Sequence, residues 1–106
     1  MRKETWIDIG ADLIGLQRMD CQYCFARSAS ELAHALVYKR NYNRRSSWKK
    51  INVRPNAMPC CPGCQKFSET YEGRKHAWNV LCDWYGEEVV QAFLDGLDLK
   101  VKENYG

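Results

Sequence analysis

Two Cys-x-x-Cys pairs, Cys21-Gln-Tyr-Cys24 and Cys61-Pro-Gly-Cys64, constrain this chain of 106 residues more than any other feature. Each pair presents two sulfurs from one tight turn, and two such knuckles supply the four ligands of a tetrahedral metal site. A chain of this length suits one domain with a modest core, so a metal staple adds stability that burial alone does not supply. We read the set as four thiolates around a structural Zn2+, with Cys60 as an alternative to Cys61. Otherwise Cys60 packs as a small apolar residue. Cys82, in "AWNVLCDWYG", reads as helix core. A disulfide framework is the competing reading, and it belongs to secreted chains. The N-terminus, "MRKETWIDIGADL", is charged and broken by Asp8 and Asp12, unlike a signal peptide, so the expectation is a cytosolic protein.

Hydrophobic residues make up 45% of the chain, with four Trp and six Tyr, which is the composition of a folded domain and not of a disordered tail. No apolar run approaches membrane-spanning length, so no membrane partner is expected. The net charge is only +3, but it is concentrated. Lys39, Arg40, Arg44, Arg45, Lys49, Lys50, Arg54 and Lys66 fall between residues 39 and 68 with no acid among them, and both flanks are net acidic. "YKRNYNRRSSWKK" also interleaves Tyr38, Tyr42 and Trp48 with the cations. Such a stripe suits phosphate contacts and base stacking, and points to nucleic acid as partner. The plainer reading is a solvated loop.

Trp6, Ile9, Leu13, Ile14 and Leu16 recur at near-helical spacing and predict a helix over residues 5 to 18, although Gly10 and Gly15 oppose it. Ser28 to Glu31 has the form of a capping box before "ELAHALVYK", yet "HALVY" equally suits a strand. "WKKINV" reads as a strand ended by Pro55. Phe67, Tyr71, Trp78, Leu81, Cys82 and Tyr85 predict a helix, interrupted at Gly73 and stopped at Gly86. "EEVVQAFLDGL" predicts another, with Glu87 and Glu88 at its positive end and Val89 or Val90, Phe93, Leu94 and Leu97 on its apolar face. A knuckle, a basic hairpin-like middle and a second knuckle running into a helix follow the order of a treble-clef zinc site. The expected architecture is a single α+β domain, with residues 98 to 106 as a frayed tail.

The stretch from Cys21 to about Leu97 resembles HNH endonucleases of the ββα-metal superfamily, and looks closest to small phage HNH and recombination-type enzymes. The resemblance rests on Asn56-Ala-Met-Pro-Cys-Cys61-Pro-Gly-Cys64-Gln65, on "ELAHALVYKR" with His34 in the place of the general-base histidine, and on Tyr85-Gly-Glu-Glu88 before a final helix. Residues 1 to 20 would then be an N-terminal extension. The resemblance places His34 on a strand, against the capping box, and we side with the strand. It implies that His34 takes a proton from water, that Asn56 backs up the histidine and its strand, and that residues 39 to 54 lie along DNA. It also implies a catalytic Mg2+ or Mn2+. The chain departs from the family's pattern there. Ala33 stands where the family usually has His or Asp before the base, and Gln65 stands where it has His or Asn. Glu69, with Gln65 or Glu31 helping, is the substitute ligand set; His76 reads as a surface residue.

Three functions follow as expectations: a metal-dependent DNA endonuclease, a nucleic-acid-binding module without cleavage, and a protein-binding inhibitor or adaptor on the same zinc scaffold. The first is favoured, and the implied setting is the cytosol of a bacterium or a phage-infected host.

Overall fold

The computed structural model describes residues 3–38 and 48–97. Helix α1 (Trp6–Gly10) runs directly into a π-helical stretch, Ala11–Leu16, so the expected N-terminal helix is present with a wider final turn. Thr5 starts it through a capping box: its hydroxyl accepts from Asp8 N, and the Asp8 carboxylate accepts from Thr5 N.

The sheet has two antiparallel strands, β1 (Glu31–His34) and β2 (Ala57–Cys60), in the register Glu31↔Cys60 to His34↔Ala57. The strand reading of His34 therefore holds, and the Ser28–Glu31 capping box starts no helix. "WKKINV" is corrected. Trp48–Ile51 is a short helix, α2, and Arg54–Asn56 is a 3-10 turn with Pro55 as its second residue. The strand lies after the proline, in a segment that contains one itself. Pro59 is tolerated because Ala35 N donates to Asn56 O. Alternation from that bond makes Leu32–Pro59 a non-bonded pair that needs no N–H. The Pro59 carbonyl faces the other way and accepts from Gln22 N in the first knuckle.

Strand alternation gives the sheet two faces. Leu32, His34 and Ala57 face α1, where Ile9 and Leu13 are buried. Ala33, Met58 and Cys60 join the larger core with Leu36, Val37, Ile51, Ala77, Leu81, Val90 and Leu94. The N-terminal segment is thus packed onto the sheet through its own small core.

After β2 come α3 (Gln65–Ser68), α4 (Tyr71–Tyr85) and α5 (Glu87–Asp95). The helical stretch breaks at Glu69–Thr70, not at Gly73. Thr70 caps α4 by accepting from Gly73 N, and also donates to Phe67 O. Gly73 lies in the first turn, where a Cβ would collide with the Phe67 carbonyl. Gly86, at φ 93°, ends α4 as expected. On α5 the buried positions are Val90 and Leu94, while Val89 is exposed. Among the described residues, no helix is long and apolar enough to cross a membrane.

Candidate metal centre and the histidine beside the sheet

Both knuckles are formed by local backbone geometry. In the first, Phe25 N donates to Cys21 O at 2.9 Å and Cys24 N approaches Cys21 Sγ at 3.5 Å, with Phe25 in the left-handed region at φ 57°. In the second, Pro62 starts a 3-10 turn that returns Cys64 N to Cys61 O at 3.0 Å, and Cys64 directly precedes α3. The hydrogen bonds Cys21 N to Arg27 O and Gln22 N to Pro59 O place the first knuckle against the end of β2.

The result is a cluster of Cys21, Cys24, Cys61 and Cys64 with all four sulfurs within 4.8 Å of one another. Cys24 Sγ and Cys61 Sγ are 3.9 Å apart. Four sulfurs at about 2.3 Å from a tetrahedral ion would be separated by about 3.8 Å, so the cluster has the size and donor set that fit a metal ion and is compatible with structural zinc. Its electrostatics agree. Burial raises the Cys21 thiol, but backbone N–H groups of Cys24, Cys61 and Tyr23 outweigh it and bring the thiol to about 6. Burial and hydrogen bonds with Cys61, Cys21 and Cys24 push the Cys64 thiol up. Packed thiols cannot all ionise without a cation, and a bound cation reverses that order.

Cys61 supplies the sulfur, not Cys60. Cys60 is fully buried in the larger core, and burial followed by the nearby Cys21 and Glu31 charges pushes its thiol up to about 12. His76, expected at the surface, is half-buried: its Nε2 pairs with Gln22 O, and its ring sits 5.6 Å from Tyr23. It fastens α4 to the first knuckle, a long-range contact that its neighbours Arg74 and Lys75 conceal in sequence.

His34 lies on the opposite side of the sheet. Its ring stacks on Trp6 with centroids 4.1 Å apart and planes within 5°, and Nε2 is 2.7 Å from Asn52 Oδ1. Neither partner is evident from sequence; both are non-local, and only the helical spacing of Trp6 hints that it packs inward. Asn56 is fully buried and saturated. Its Oδ1 accepts from Leu36 N and Val37 N, and its Nδ2 donates to Val37 O and Ile51 O. It therefore ties down the backbone on both sides of residues 38 to 50.

The substitute ligands for a second ion are dispersed. Glu31 is three residues from His34 on one strand, which puts the two on opposite faces. Gln65 opens α3 and Glu69 ends it at an exposed position. Among the described residues, the four cysteines are the sole group of three or more His, Cys, Asp or Glu side chains gathered closely enough to hold a metal.

Of the basic stripe, Lys39, Arg40, Arg44 and Arg45 lie outside the described residues, as does most of the expected hairpin. Trp48, Lys49 and Lys50 are on α2, with Lys50 exposed. Arg54 is engaged within the chain. It grips Glu4 through Nε at 2.9 Å and Nη2 at 2.7 Å, and Nη2 also meets Asp12 at 2.8 Å. A Gln17 hydrogen bond and then Arg54 hold the Asp12 carboxyl below its usual range. No protein-family model matches the chain, and no curated protein or solved structure shows a significant match to it.

Proposed function

We propose that this chain is a zinc-stapled, HNH-like α+β domain that binds nucleic acid, DNA foremost, through the basic segment between Tyr38 and Arg54. The supporting observation is the Asn56 clamp. By holding Val37 and Ile51 at once, it fixes both ends of an acid-free stretch of sequence carrying Lys39, Arg40, Arg44, Arg45, Lys49 and Lys50. A fixed base presents those cations to phosphates at less entropic cost than a free tail would. The four-thiolate set suits zinc in a closed, structural role.

The test is binding of labelled duplex DNA across a salt series. Affinity should fall steeply with salt, and replacing Arg44 and Arg45 by Gln should flatten the slope by about one unit for each phosphate no longer neutralised. A salt-insensitive, stoichiometric complex with a protein would instead favour the inhibitor or adaptor reading.

A second reading, the endonuclease, draws support from the His34–Asn52 pair and the Trp6 stack. Together they hold one imidazole in a set orientation, as a general base requires. The positions of Glu31, Gln65 and Glu69 do not make a common Mg2+ or Mn2+ site with His34, so no hydrolytic step is derived through such an ion. Nicking of supercoiled plasmid in Mg2+ or Mn2+, abolished in His34→Ala, would establish the activity. Intact plasmid beside intact DNA binding would leave the binding module.

A further inference from the structure

Three aromatic rings are exposed on the first knuckle and on the helices that follow the second: Phe25 at 57%, Phe67 at 42% and Tyr71 at 54%. Two half-buried rings join Phe25 and Phe67 into a row. Phe67 meets Tyr23 edge-on at 5.8 Å, Tyr23 lies 5.6 Å from His76, and His76 lies 6.1 Å from Phe25. Cations border the row. Lys75 Nζ sits 5.4 Å above the Tyr71 ring, and Arg27 lies beside Gly63. Lys66 precedes Phe67 on α3. Glu69 and Glu72 share these helices and offset part of that charge. The exposed aliphatic residues, Ile7, Leu16 and Val89, are on other elements.

The turn of the first knuckle also sets the backbone of Phe25. Its φ of 57° is the left-handed conformation that glycine adopts without cost and that a bulky side chain rarely adopts. The ring is also largely in water, so burial does little to offset that strain.

We propose that the face carrying Phe25 and Phe67 is a stacking platform for the unpaired bases of single-stranded nucleic acid, with these two residues offering ring faces and Arg27, Lys66 and Lys75 taking phosphates. The proposal rests on the nucleic-acid reading above and adds a second contact surface, separate from the basic segment. Aromatic side chains stack any base, and flanking cations track the backbone. Bases within a duplex present no free face, so the platform selects single strands. Cations interleaved with exposed rings favour an occupant that carries both phosphates and aromatic faces over one that is apolar alone.

The test is fluorescence anisotropy of labelled oligo(dT) and of a labelled duplex, with metal-loaded full-length protein and the variants Phe67→Leu and Phe25→Gly. Phe67→Leu keeps an apolar side chain but loses the ring. Phe25→Gly removes the ring and relieves the backbone. Each should weaken oligo(dT) binding roughly 5- to 100-fold and leave duplex affinity and metal content unchanged, with the melting temperature of Phe25→Gly no lower than that of the parent. Unchanged oligo(dT) affinity in both variants overturns the platform. So does sedimentation that shows the variants losing only self-association. Parent protein that binds duplex but not oligo(dT) also removes the platform and leaves the basic-segment reading standing. Binding to neither removes both.

Discussion

Asn56 and Val37 exchange two hydrogen bonds: Val37 N donates to Asn56 Oδ1 at 3.0 Å, and Asn56 Nδ2 donates to Val37 O at 2.9 Å. A side-chain amide thus pairs with a backbone unit as a neighbouring strand would, and does so where no solvent reaches. Two further bonds, from Leu36 N and to Ile51 O, use the rest of its capacity.

Replacing Asn56 by Ala strands two buried N–H groups and two buried carbonyls. With about 1–3 kcal/mol for each group left unsatisfied, the loss should reach a large share of a small domain's total stability. Asn56→Asp should also be costly, because a carboxylate faces the Val37 and Ile51 carbonyls without a donor. Urea denaturation of metal-loaded protein measures both. A change below about 0.5 kcal/mol in Asn56→Ala would remove the clamp from the account.

The adjacent cysteines should separate cleanly. Cys60→Ala removes a buried sulfur from the core at a cost of about 1–2 kcal/mol and keeps the metal. Cys61→Ala or Cys64→Ala should lose the metal and unfold the domain, because structural zinc contributes on the order of 10 kcal/mol in small domains. Metal content per chain and thermal melting read both outcomes. Protons compete with metal for thiolates, so the metal-dependent part of the stability is present at neutral pH and is lost in acid.

Gly73→Ala tests the junction of α3 and α4. The added methyl would strike backbone, the Phe67 carbonyl, which cannot swing aside. The cost should lie at or above the upper end of the ~1–3 kcal/mol usual for overpacking. In an exposed helix interior the same exchange normally stabilises by up to about 1 kcal/mol, so the sign alone decides.

Arg54 yields a prediction in the opposite direction. Glu4 and Asp12 neutralise it, so Arg54→Gln should leave the salt dependence of DNA binding almost unchanged. Glu4→Gln combined with Asp12→Asn should release the guanidinium and steepen the slope by about one unit, the share of a single phosphate. An unaltered slope in that double variant would mean that Arg54 does not face the nucleic acid.

The legible parts of this fold are local ones. Two knuckles follow from Cys-x-x-Cys spacing, the end of α4 from Gly86, and α5 from its apolar stripe. The choice between Cys60 and Cys61 is beyond spacing, because both sulfurs are buried and only the fold decides that Cys61 is the one gathered with the other three. The strand Ala57–Cys60 is hidden by Pro59, which alternation and the Gln22 contact make harmless. "WKKINV" has strand-like composition, but Asn56 pulls the Ile51 carbonyl inward, and tertiary packing overrides propensity there. Trp6 against His34, Asn52 against His34 and Glu4 against Arg54 are meetings of distant residues, which no window of sequence contains.

The Asn56 clamp has a consequence for how this chain can vary. It closes the stretch from Val37 to Ile51 at its base, and closing a longer loop costs only about 0.6 kcal/mol for each doubling of length. Lengthening the chain between the buried Tyr38 and helix α2 should therefore be tolerated far better than changes at the clamp itself. The domain offers a docking port of fixed geometry, into which segments of different length and charge could be exchanged without redesigning the frame that carries them.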